Sequence, residues 1–452
     1  AQLCEIMLRD SAHIQMFEAE WRNRKAARSG GKLKEFVPLY DMDAAVNVCK
    51  QFVGCEYDKI YNIADGIKIR FTDVGHLLGS ASIEVWATEK TENGDVTEKI
   101  VFSGDIGNIN KPIIKDPKHV TDADYVVMES TYGNRSHGGT PNYVEDLTNI
   151  FKRTFERGGN VVIPSFAVGR TQELLYIIRK IKEDNLVGRD FDVYMDSPLA
   201  IEATNIFIKN VESCFDDEAV ELVRKGINPL SFPGLKYATT GDESKQINFD
   251  PNPKVIISSS GMCEAGRIRH HLKHNLWRPE CTIVFVGYQA VGTTGRIIVD
   301  GAEEIKLFGE PIQIKAEIVQ LKGSSGHADK DGLLCWINAF DTKPKKVFVV
   351  HGEDSVCDEF TECLKEEYGY DAMAPYTGGS YDLIADRVIS EGVKERKTRR
   401  TTSTQRGKTV FDRLVAAGKR LMTVITHNEG GTNKDLAKFT DQINALCDKW
   451  DR

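Results

Sequence analysis

Three histidines and two carboxylates occupy similar positions along the chain, and their side chains could together perform metal-dependent chemistry. Each follows an apolar stretch typical of a buried strand and lies near glycines that permit a tight turn. Imidazole nitrogen and carboxylate oxygen are the ligands of zinc-type hydrolytic centres. The five residues are His76 in TDVGHLLGS, Asp105 in IVFSGDIGN, Glu129 in VVMESTYGN, His327 in LKGSSGHAD and His351 in VFVVHGED.

Each of these residues also has a purely structural interpretation when it is taken alone. His76 could be a polar turn residue, and Asp105 could close an Asx turn. Glu129 could begin a helix or a turn, and His351 could be a hydrogen-bonded core histidine. None of the three histidines belongs to an HExxH or HxH pair. The shared position of all five at strand ends nevertheless favours one common site.

Composition and charge narrow the class of protein. The 452 residues are 41% hydrophobic, which suffices for a large core and two domains. Lys and Arg number 59 against 67 Asp and Glu, and the net charge of −8 argues against a general electrostatic attraction to nucleic acid, although a local basic cleft stays compatible with it. Ten cysteines without CxxC pairs favour reduced thiols and a cytoplasmic location. No apolar run approaches the roughly 20 residues of a membrane-spanning helix, so we expect no membrane partner.

Strands and helices are predicted to alternate, which indicates an α/β protein with polar residues at strand ends. Helical periodicity is clearest at residues 1–27, 41–53, 142–158, 170–185 and 433–450. Strands are predicted at 67–75, 81–88, 99–105, 125–130, 160–166, 190–197, 254–261, 281–288 and 346–353. Residues 392–407, GVKERKTRRTTSTQRG, are interpreted as an exposed basic connection, with a nucleic-acid contact as the alternative.

An ordered series of motifs resembles the β-CASP branch of the metallo-β-lactamase fold. These are RNA- and DNA-processing nucleases that include ribonuclease J and the endonuclease subunit of the cleavage and polyadenylation machinery. The series covers roughly residues 70 to 355 in family order. Its members are GHLLGS, SGDIGN, ESTYGN, IPSFAVGRTQELL, DSPLA, SSSGMCEAGRIRHHL, VGYQAVGTTGR, GSSGHAD and VVHGE.

The resemblance implies a metallo-β-lactamase αββα sandwich, N-terminally incomplete, with an inserted β-CASP α/β cap domain. The first part of the metallo-β-lactamase domain is expected at 1–131 and the cap at 132–305. The return segment is expected at 306–390, entered through IQIKAEIVQL, and a basic linker with a C-terminal helical tail at 391–452.

The resemblance also implies a role for each of the five residues. His76 would be a ligand of the first metal, Asp105 would bridge two metals and His351 would complete the ligand shell of the second metal. Glu129 would orient His327, which would protonate the leaving oxygen or stabilise the scissile phosphate. A complete family site holds two Zn²⁺ ions, which lower the pKa of a bridging water.

One part of the family pattern is missing from the printed sequence. The HxHxDH motif, which supplies four metal ligands upstream of the GHxxGS histidine, is absent, and residues 1–75 contain only His13. We expect that the chain begins downstream of this motif, with true loss of the motif as the alternative. Because His76, Asp105 and His351 would be divided between two metals, we expect weak or no metal binding and little hydrolysis.

The cap is expected to form one wall of a cleft whose narrowness selects single-stranded nucleic acid. Arg side chains can bind phosphate in a bidentate manner, and hydroxyls with glycine N–H groups can cradle it. The candidate substrate contacts are Ser165, Arg170, Ser259, Arg267, Arg296, Ser324 and Ser325. Arg170 could instead only pair with a carboxylate. His270, His271 and His274 are expected to be solvated on a helix face and not to bind metal.

The leading hypothesis is therefore metal-dependent hydrolysis of phosphodiesters in single-stranded RNA, with DNA a less favoured substrate. The alternative is a non-catalytic homologue that binds RNA or a partner nuclease. A small-molecule hydrolase is disfavoured by the large cap. The RNA target and the polarity of cleavage stay open, and homo-oligomerisation is compatible with the sequence.

Overall fold

The computed structural model describes most of the chain: residues 1–28, 35–92, 94–136, 138, 142–321, 325–394, 418, 421–422, 424–426, 428 and 433–450. The chain divides into two compact units, one formed by Ala1–Pro375 with Gly379–Glu391 and the other by Tyr376–Gly378 with Gly392–Arg452. No helix among the described residues combines the length and the apolar character that a membrane span requires.

Helices and strands alternate along the chain, as predicted. The helices are α1 (Gln2–Arg28), α2 (Met42–Cys49), α3 (Tyr143–Glu156), α4 (Arg170–Glu183), α5 (Pro198–Lys209), α6 (Val211–Cys214), α7 (Asp217–Arg224), α8 (Gly241–Phe249), α9 (Ile268–Asn275), α10 (Thr294–Val299), α11 (Lys330–Ile337), α12 (Asp354–Glu366) and α13 (Asn433–Trp450). The first strands are β1 (Ile60–Ala64), β2 (Ile67–Asp73), β3 (Ala81–Thr91), β4 (Gly94–Phe102), β5 (Tyr125–Glu129), β6 (Val161–Pro164), β7 (Asp192–Asp196), β8 (Leu235–Tyr237) and β9 (Lys254–Ser258). The remaining strands are β10 (Thr282–Phe285), β11 (Glu304–Leu307), β12 (Glu310–Gln313), β13 (Glu317–Gln320), β14 (Lys346–Val350), β15 (Ala372–Met373), β16 (Ser380–Asp382) and β17 (Arg387–Ser390).

The predicted helix at 41–53 ends earlier than the sequence pattern suggested, at Cys49. Its N-terminus is as predicted, because the Asp41 carboxylate accepts a hydrogen bond from the Ala44 N–H at 2.8 Å and so caps the helix. The predicted C-terminal helix is confirmed as α13. Most of the predicted basic connection at 392–407 lies outside the described residues, from 395 onward.

A seven-stranded mixed sheet contains the strands whose ends bear the residues of the predicted site. Its strand order is β1-β2-β3-β4-β5-β14-β15. The pairs from β1 to β4 are antiparallel, whereas β4, β5, β14 and β15 pair in parallel. Strands β2, β4, β5 and β14 therefore run in one direction, and their carboxyl ends lie at the same edge of the sheet.

One face of this sheet packs against helices α11 and α12. Alternating residues of the strands, such as Val126 and Val347, form a buried cluster with Trp336 and Phe360 of the helices. Among the described residues, the opposite face is less completely covered, since Phe102 is 42% exposed. The helix-covered face fixes the strands whose ends carry the polar residues.

A six-stranded sheet forms the centre of the second half of the same unit. Its order is β13-β10-β6-β9-β7-β8, and every pair in it is parallel. Both of its faces are covered, because Val161 and Ile163 belong to one buried cluster and Val162 and Ile283 to another. Coverage on both faces explains why these strands read as continuous apolar runs in the sequence.

One edge strand of this sheet comes from the segment after residue 305. Strand β13 pairs with β10, in register from Thr282 with Glu317 to Phe285 with Gln320. This pairing places a strand of the predicted return segment in the six-stranded sheet, and the predicted segment boundaries stay predictions. The sequence alone could not show it, because a four-residue strand has no periodicity that identifies its partner.

A buried ion cluster ties three antiparallel strands together. Glu84 on β3 has no exposed side-chain surface and accepts hydrogen bonds from Arg70 at 2.7 and 2.6 Å and from Thr72 at 2.9 Å. Lys99 on β4 lies 2.8 Å from the same carboxylate. Burial alone would raise the pKa of Glu84, but the hydrogen bonds from Arg70, Lys99 and Thr72 outweigh burial and hold the pKa below its usual value.

We predict that Glu84→Ala strongly destabilises this half of the protein. Removing Glu84 takes away the buried carboxylate that Arg70 and Lys99 share, and breaking a buried ion cluster in this way costs about 3–5 kcal/mol. Urea denaturation would measure the change in free energy of unfolding. Glu89→Ala, an exposed glutamate on the same strand, is the matched control and should change stability by less than about 0.5 kcal/mol. Equal effects of the two variants would contradict the structural role of Glu84.

A second prediction concerns pH. Because the folded state lowers the pKa of Glu84 from 4.5, its contribution to stability is present above about pH 4.5 and is lost as pH falls through the folded-state pKa. The parent should therefore lose more stability between about pH 6 and about pH 3 than Glu84→Gln does. Urea midpoints measured across this range test the difference, and parallel pH profiles would refute it.

Candidate active site

The structure brings all five predicted residues together at one edge of the seven-stranded sheet. His76, Asp105 and His351 follow the carboxyl ends of β2, β4 and β14, and Glu129 is the last residue of β5. Val350 pairs with Glu129 in parallel register, so His351 emerges beside that glutamate. The convergence follows from the common direction of these strands.

Asp105 lies between two histidines. Its Oδ2 is 3.9 Å from His76 Nε2, and its Oδ1 is 3.4 Å from His351 Nδ1. Each carboxylate oxygen therefore faces a different imidazole. The bridging role that the resemblance implies for Asp105 stays a prediction.

Two glycines allow the turns that carry His76 and Asp105 to touch. The Gly107 N–H donates to the Val74 carbonyl at 2.8 Å. A Cβ atom on Gly107 would lie only 2.1 Å from the main-chain oxygen of Gly75, so no other residue fits there without a shift of the backbone. The glycine-rich motifs of the sequence thus set the distance between the two ligand-bearing turns.

His327 reaches the cluster from a separate loop that is hydrogen-bonded to the Asp105 turn. Ala328 N–H donates to the Ile106 carbonyl at 2.8 Å, and Asn108 N–H donates to the Gly326 carbonyl at 3.0 Å. The His327 ring centroid is 4.4 Å from that of His76 and 5.8 Å from that of His351. The backbone bonds therefore fix the position of a residue that is distant from the others in sequence.

Glu129 and His327 form a hydrogen-bonded pair. Glu129 is 1% exposed, and its Oε2 is 3.1 Å from His327 Nδ1. The Ile106 N–H also donates to the Glu129 carboxylate. Burial would lower the pKa of His327, but the hydrogen bond to Glu129 and the charge of Glu129 outweigh it and raise the pKa. Burial would raise the pKa of Glu129, but His327, Thr131 and Ile106 together lower it. The charged forms of both partners are favoured.

His76 has the opposite electrostatic environment. Burial is the main cause that lowers its pKa to about 4, and the positive charges of His327 and Lys111 act in the same direction. Its imidazole is therefore neutral at physiological pH, and a neutral imidazole has a nitrogen lone pair for a metal. The buried Nδ1 atom of His76 has no hydrogen-bond partner among the described residues.

The donor set fits a divalent cation such as zinc. One candidate group is His76, Asp105 and His327, and a second is Glu129, His327 and His351. Within each group the ligand atoms lie within 4.8 Å of one another. A neutral imidazole beside a carboxylate is chemically suited to zinc. The three predicted ligands would nevertheless leave the shells of two ions incomplete.

Several predicted substrate contacts in the cap are engaged inside the protein. Arg267 donates to Asp196 Oδ1 at 2.7 Å and to the carbonyls of Ala238 at 2.9 Å and Thr239 at 2.8 Å. Ser165 is 1% exposed and donates to the Phe166 carbonyl at 3.2 Å. The Ser259 hydroxyl is 2.7 Å from that of Ser197. These bonds show what the three side chains contact in the folded protein, and their contact with substrate stays a prediction.

The remaining predicted substrate contacts also have partners within the protein, with the exception of Ser324, which the structure does not describe. Arg296 forms a bidentate pair with Asp300 at 2.8 and 2.9 Å. Arg170 NH1 is 2.5 Å from Glu173 Oε2, which is the carboxylate pairing that the sequence left open. Ser325 accepts a hydrogen bond from the His327 N–H at 3.1 Å. Ser324 lies outside the described residues.

A cleft of about 610 Å³ lies beside the cluster, between the loop after β4, helix α4 and helix α11. Its lining includes Gly107 and Ser325, close to Asp105 and His327 in sequence, and Lys111, Arg170 and Glu173. His76, Asp105 and His351 are not part of its lining. The candidate metal ligands therefore border this cleft and do not form its floor.

His271 corrects one expectation. His270 and His274 are exposed, as predicted, but His271 is fully buried, with Nε2 2.6 Å from Asp196 Oδ2 and Nδ1 3.0 Å from Asn248 Oδ1. The helical spacing of Ile268, His271 and Leu272 places all three on the face of α9 that packs on the sheet. That spacing was the signal in the sequence that would have identified a buried histidine.

Parts of the chain match two protein families. Residues 171–298 match the family model of the Beta-Casp domain, and residues 311–375 match that of the Zn-dependent metallo-hydrolase RNA specificity domain. Ribonuclease TTHA0252 of Thermus thermophilus is 35% identical over 288 residues, which are 64% of this chain and 63% of that protein.

Two archaeal proteins are similar as well. Transcription termination factor FttA of Methanosarcina mazei is 31% identical over 358 residues, 77% of this chain and 54% of that protein. The RNase J-like protein of Methanocaldococcus jannaschii is 34% identical over 295 residues, 64% of this chain and 65% of that protein. The matched regions thus span between 54% and 65% of the length of these three relatives. The chain therefore contains a Beta-Casp domain and a Zn-dependent metallo-hydrolase RNA specificity domain, and its motifs, its fold and these matches make it similar to the β-CASP branch of the metallo-β-lactamase fold.

Proposed function

We propose that this chain forms the core of a zinc-dependent ribonuclease that hydrolyses phosphodiesters of single-stranded RNA. The observation that carries the proposal is the position of Asp105 between His76 and His351, beside the hydrogen-bonded pair of Glu129 and His327. The match to an RNA specificity domain supports RNA over DNA as the substrate.

His76, Asp105 and His351 are the residues that would hold metal. Zinc, when bound, would polarise the phosphodiester and lower the pKa of a bound water. The neutral state of His76 suits this role, because a protonated imidazole has no lone pair to offer. Asp105 offers one oxygen toward each histidine, so it is the residue that would be shared between two ions.

His327 is the proposed general acid. Glu129 holds His327 Nδ1 at 3.1 Å and favours the protonated ring, so Nε2 is the atom assigned to proton transfer to the leaving oxygen. Because Glu129 is buried, its hydrogen bond to His327 fixes the orientation of this ring. Ser325 helps by accepting the His327 N–H, which holds the loop in place.

The number of zinc ions is part of the proposal. A complete site of the family would hold two ions, and three ligands cannot complete two four-coordinate shells. The printed residues 1–75 contain no HxHxDH sequence. We therefore expect partial zinc occupancy and low hydrolytic activity for the chain as printed.

The second candidate function is a non-catalytic homologue that binds RNA or a partner nuclease. The retained hydrogen-bonded pair of Glu129 and His327 favours catalysis, because RNA binding alone does not require a buried carboxylate to charge an imidazole. A cytoplasmic location is proposed from the ten cysteines, which are free thiols. Homo-oligomerisation stays a prediction.

We predict that Asp105→Ala abolishes zinc binding and RNA cleavage together. Losing an outer partner of a metal ligand costs 10–100-fold in affinity or activity, so losing a bridging ligand should cost more than about 100-fold. Zinc content by elemental analysis and cleavage of end-labelled single-stranded RNA are the two measurements. An oligonucleotide of the same sequence in DNA distinguishes the substrate class.

The matched control is Asp65→Ala, an exposed aspartate in a turn of the same sheet. It should leave zinc content and cleavage at the level of the parent. If Asp105→Ala cleaves as fast as Asp65→Ala, the assignment of the metal site is wrong. RNA binding without cleavage by a zinc-loaded parent would favour the non-catalytic candidate.

We predict that His327→Ala lowers kcat by about 100–10,000-fold while KM for RNA changes little, because the imidazole acts in proton transfer and not in binding. Glu129→Gln should lower kcat in the same direction, since it removes the charge that stabilises the protonated ring. Steady-state kinetics with His274→Ala, an exposed cap histidine, as the control separate the two parameters. An increase in KM with unchanged kcat would assign His327 to substrate binding.

A further inference from the structure

A buried ion pair joins the loop after β4 to the cap. Lys111 Nζ lies 3.4 Å from Glu173 Oε1, and each side chain is 9% exposed. Lys111 follows Asp105 in the loop that leads to β5, whereas Glu173 lies in the first turn of α4. Buried charges are stable only with partners, so each residue strongly constrains the position of the other.

Lys111 also contacts the turn that carries His76. Its ammonium group donates a hydrogen bond to the main-chain carbonyl of His76 at 2.8 Å. On the other side of the residue, the His76 N–H donates to Ser80 Oγ at 3.0 Å. The backbone of His76 is therefore held from both its N–H and its carbonyl.

Apolar contacts support the same connection. Leu78 of the His76 turn and Ile113 of the loop after β4 belong to the buried cluster that contains Leu174 of α4. A Cβ atom on Gly169 would lie 2.4 Å from Leu77 Cδ2, so the start of α4 contacts the residue that follows His76. The candidate ligand turn thus packs directly on the cap.

Glu173 has a second cation within reach. Its Oε2 is 2.5 Å from Arg170 NH1, at the start of α4 and in the lining of the cleft. One carboxylate therefore connects the lysine that holds the His76 turn to an arginine that faces the cleft.

We propose that Lys111 is a positioning residue that, through Glu173, fixes the backbone of His76 relative to the cap. The proposal rests on the proposed function in one respect, namely that His76 holds a metal. It adds that the geometry of His76 depends on the ion pair between Lys111 and Glu173, and that the glutamate of this pair belongs to the other half of the unit. A residue that donates a hydrogen bond to the backbone of a metal ligand changes the metal affinity without contacting the metal.

The test compares Lys111→Met with Lys111→Arg in the full chain. Lys118→Met is the matched control, because Lys118 belongs to the same loop but forms an exposed pair with Asp58, 2.7 Å away. Hydrogen–deuterium exchange followed by mass spectrometry reports on the peptide Gly75–Ser80. Zinc affinity by competition with a chelating dye, and kcat and KM on single-stranded RNA, report on the site.

Lys111→Met should increase exchange in Gly75–Ser80 on the order of 10-fold, because the main-chain carbonyl of His76 loses the hydrogen bond from Lys111 and the turn opens more often. Zinc affinity and kcat should each fall by roughly 10-fold, while KM stays within about twofold. Lys111→Arg keeps a charged donor and should recover at least half of the lost protection. Lys118→Met should match the parent in all three measurements.

Glu173→Gln provides a variant that keeps the volume of the side chain but loses its charge. If Lys111 acts through Glu173, the double variant should change exchange in Gly75–Ser80 no more than the larger single effect does. Additive effects would overturn the proposed connection. Increased exchange across the whole chain in Lys111→Met would also overturn it, because the lysine would then be a general stabiliser.

Two outcomes separate this proposal from the proposed function. A parent chain that neither binds zinc nor cleaves RNA overturns the proposed function, and the exchange of Gly75–Ser80 alone then decides the role of Lys111. A parent that cleaves RNA while Lys111→Met behaves like Lys118→Met overturns the positioning role and leaves the proposed function standing.

Discussion

The parallel pairing of β4, β5 and β14 is the constraint on which the candidate site depends. The register that places Val350 beside Glu129 also places His351 beside that carboxylate, and the pairing of Phe102 with Val127 brings the Asp105 turn to the same edge. A slip of one residue would direct every side chain of a strand to the opposite face of the sheet. The buried cluster under this sheet therefore maintains both the stability of the fold and the geometry of the site.

Burial disfavours the charged form of both histidines of the site, and their hydrogen-bond partners decide the direction in which each pKa shifts. His76 is mostly buried and its Nδ1 has no hydrogen-bond partner in the described part of the chain, so its charged form is disfavoured and its pKa falls to about 4. His327 is also substantially buried, but the Glu129 carboxylate stabilises its charged form. The pKa values of two histidines whose rings lie 4.4 Å apart are thereby shifted in opposite directions. The proposed roles, metal ligand for His76 and proton donor for His327, use this difference.

The strand ends and the five polar residues could be predicted from sequence because their signals are local. An apolar run followed by glycine identifies both the strand and the turn, and the family motifs supplied the roles. Contacts between distant segments could not be predicted in this way. The pair of Lys111 and Glu173 joins residues in two halves of the unit, and the parallel pairing of β13 with β10 depends on how the chain crosses the sheet. His271 lies between these cases, because its helical position indicated burial although its residue type suggested solvent.

The arginines of the cap show how pairing limits the electrostatic attraction to RNA. A phosphate can replace a carboxylate at little cost only where the displaced carboxylate returns to water. At Arg296 this condition is met, because Asp300 is 56% exposed. At Arg267 it is not, because Asp196 is fully buried and would remain as a charge with fewer partners. Arg170 is intermediate, since Glu173 is buried but keeps Lys111 as a second partner. The ion pair that holds the His76 turn would thus leave Glu173 with Lys111 as a partner when a phosphate approaches Arg170 in the cleft.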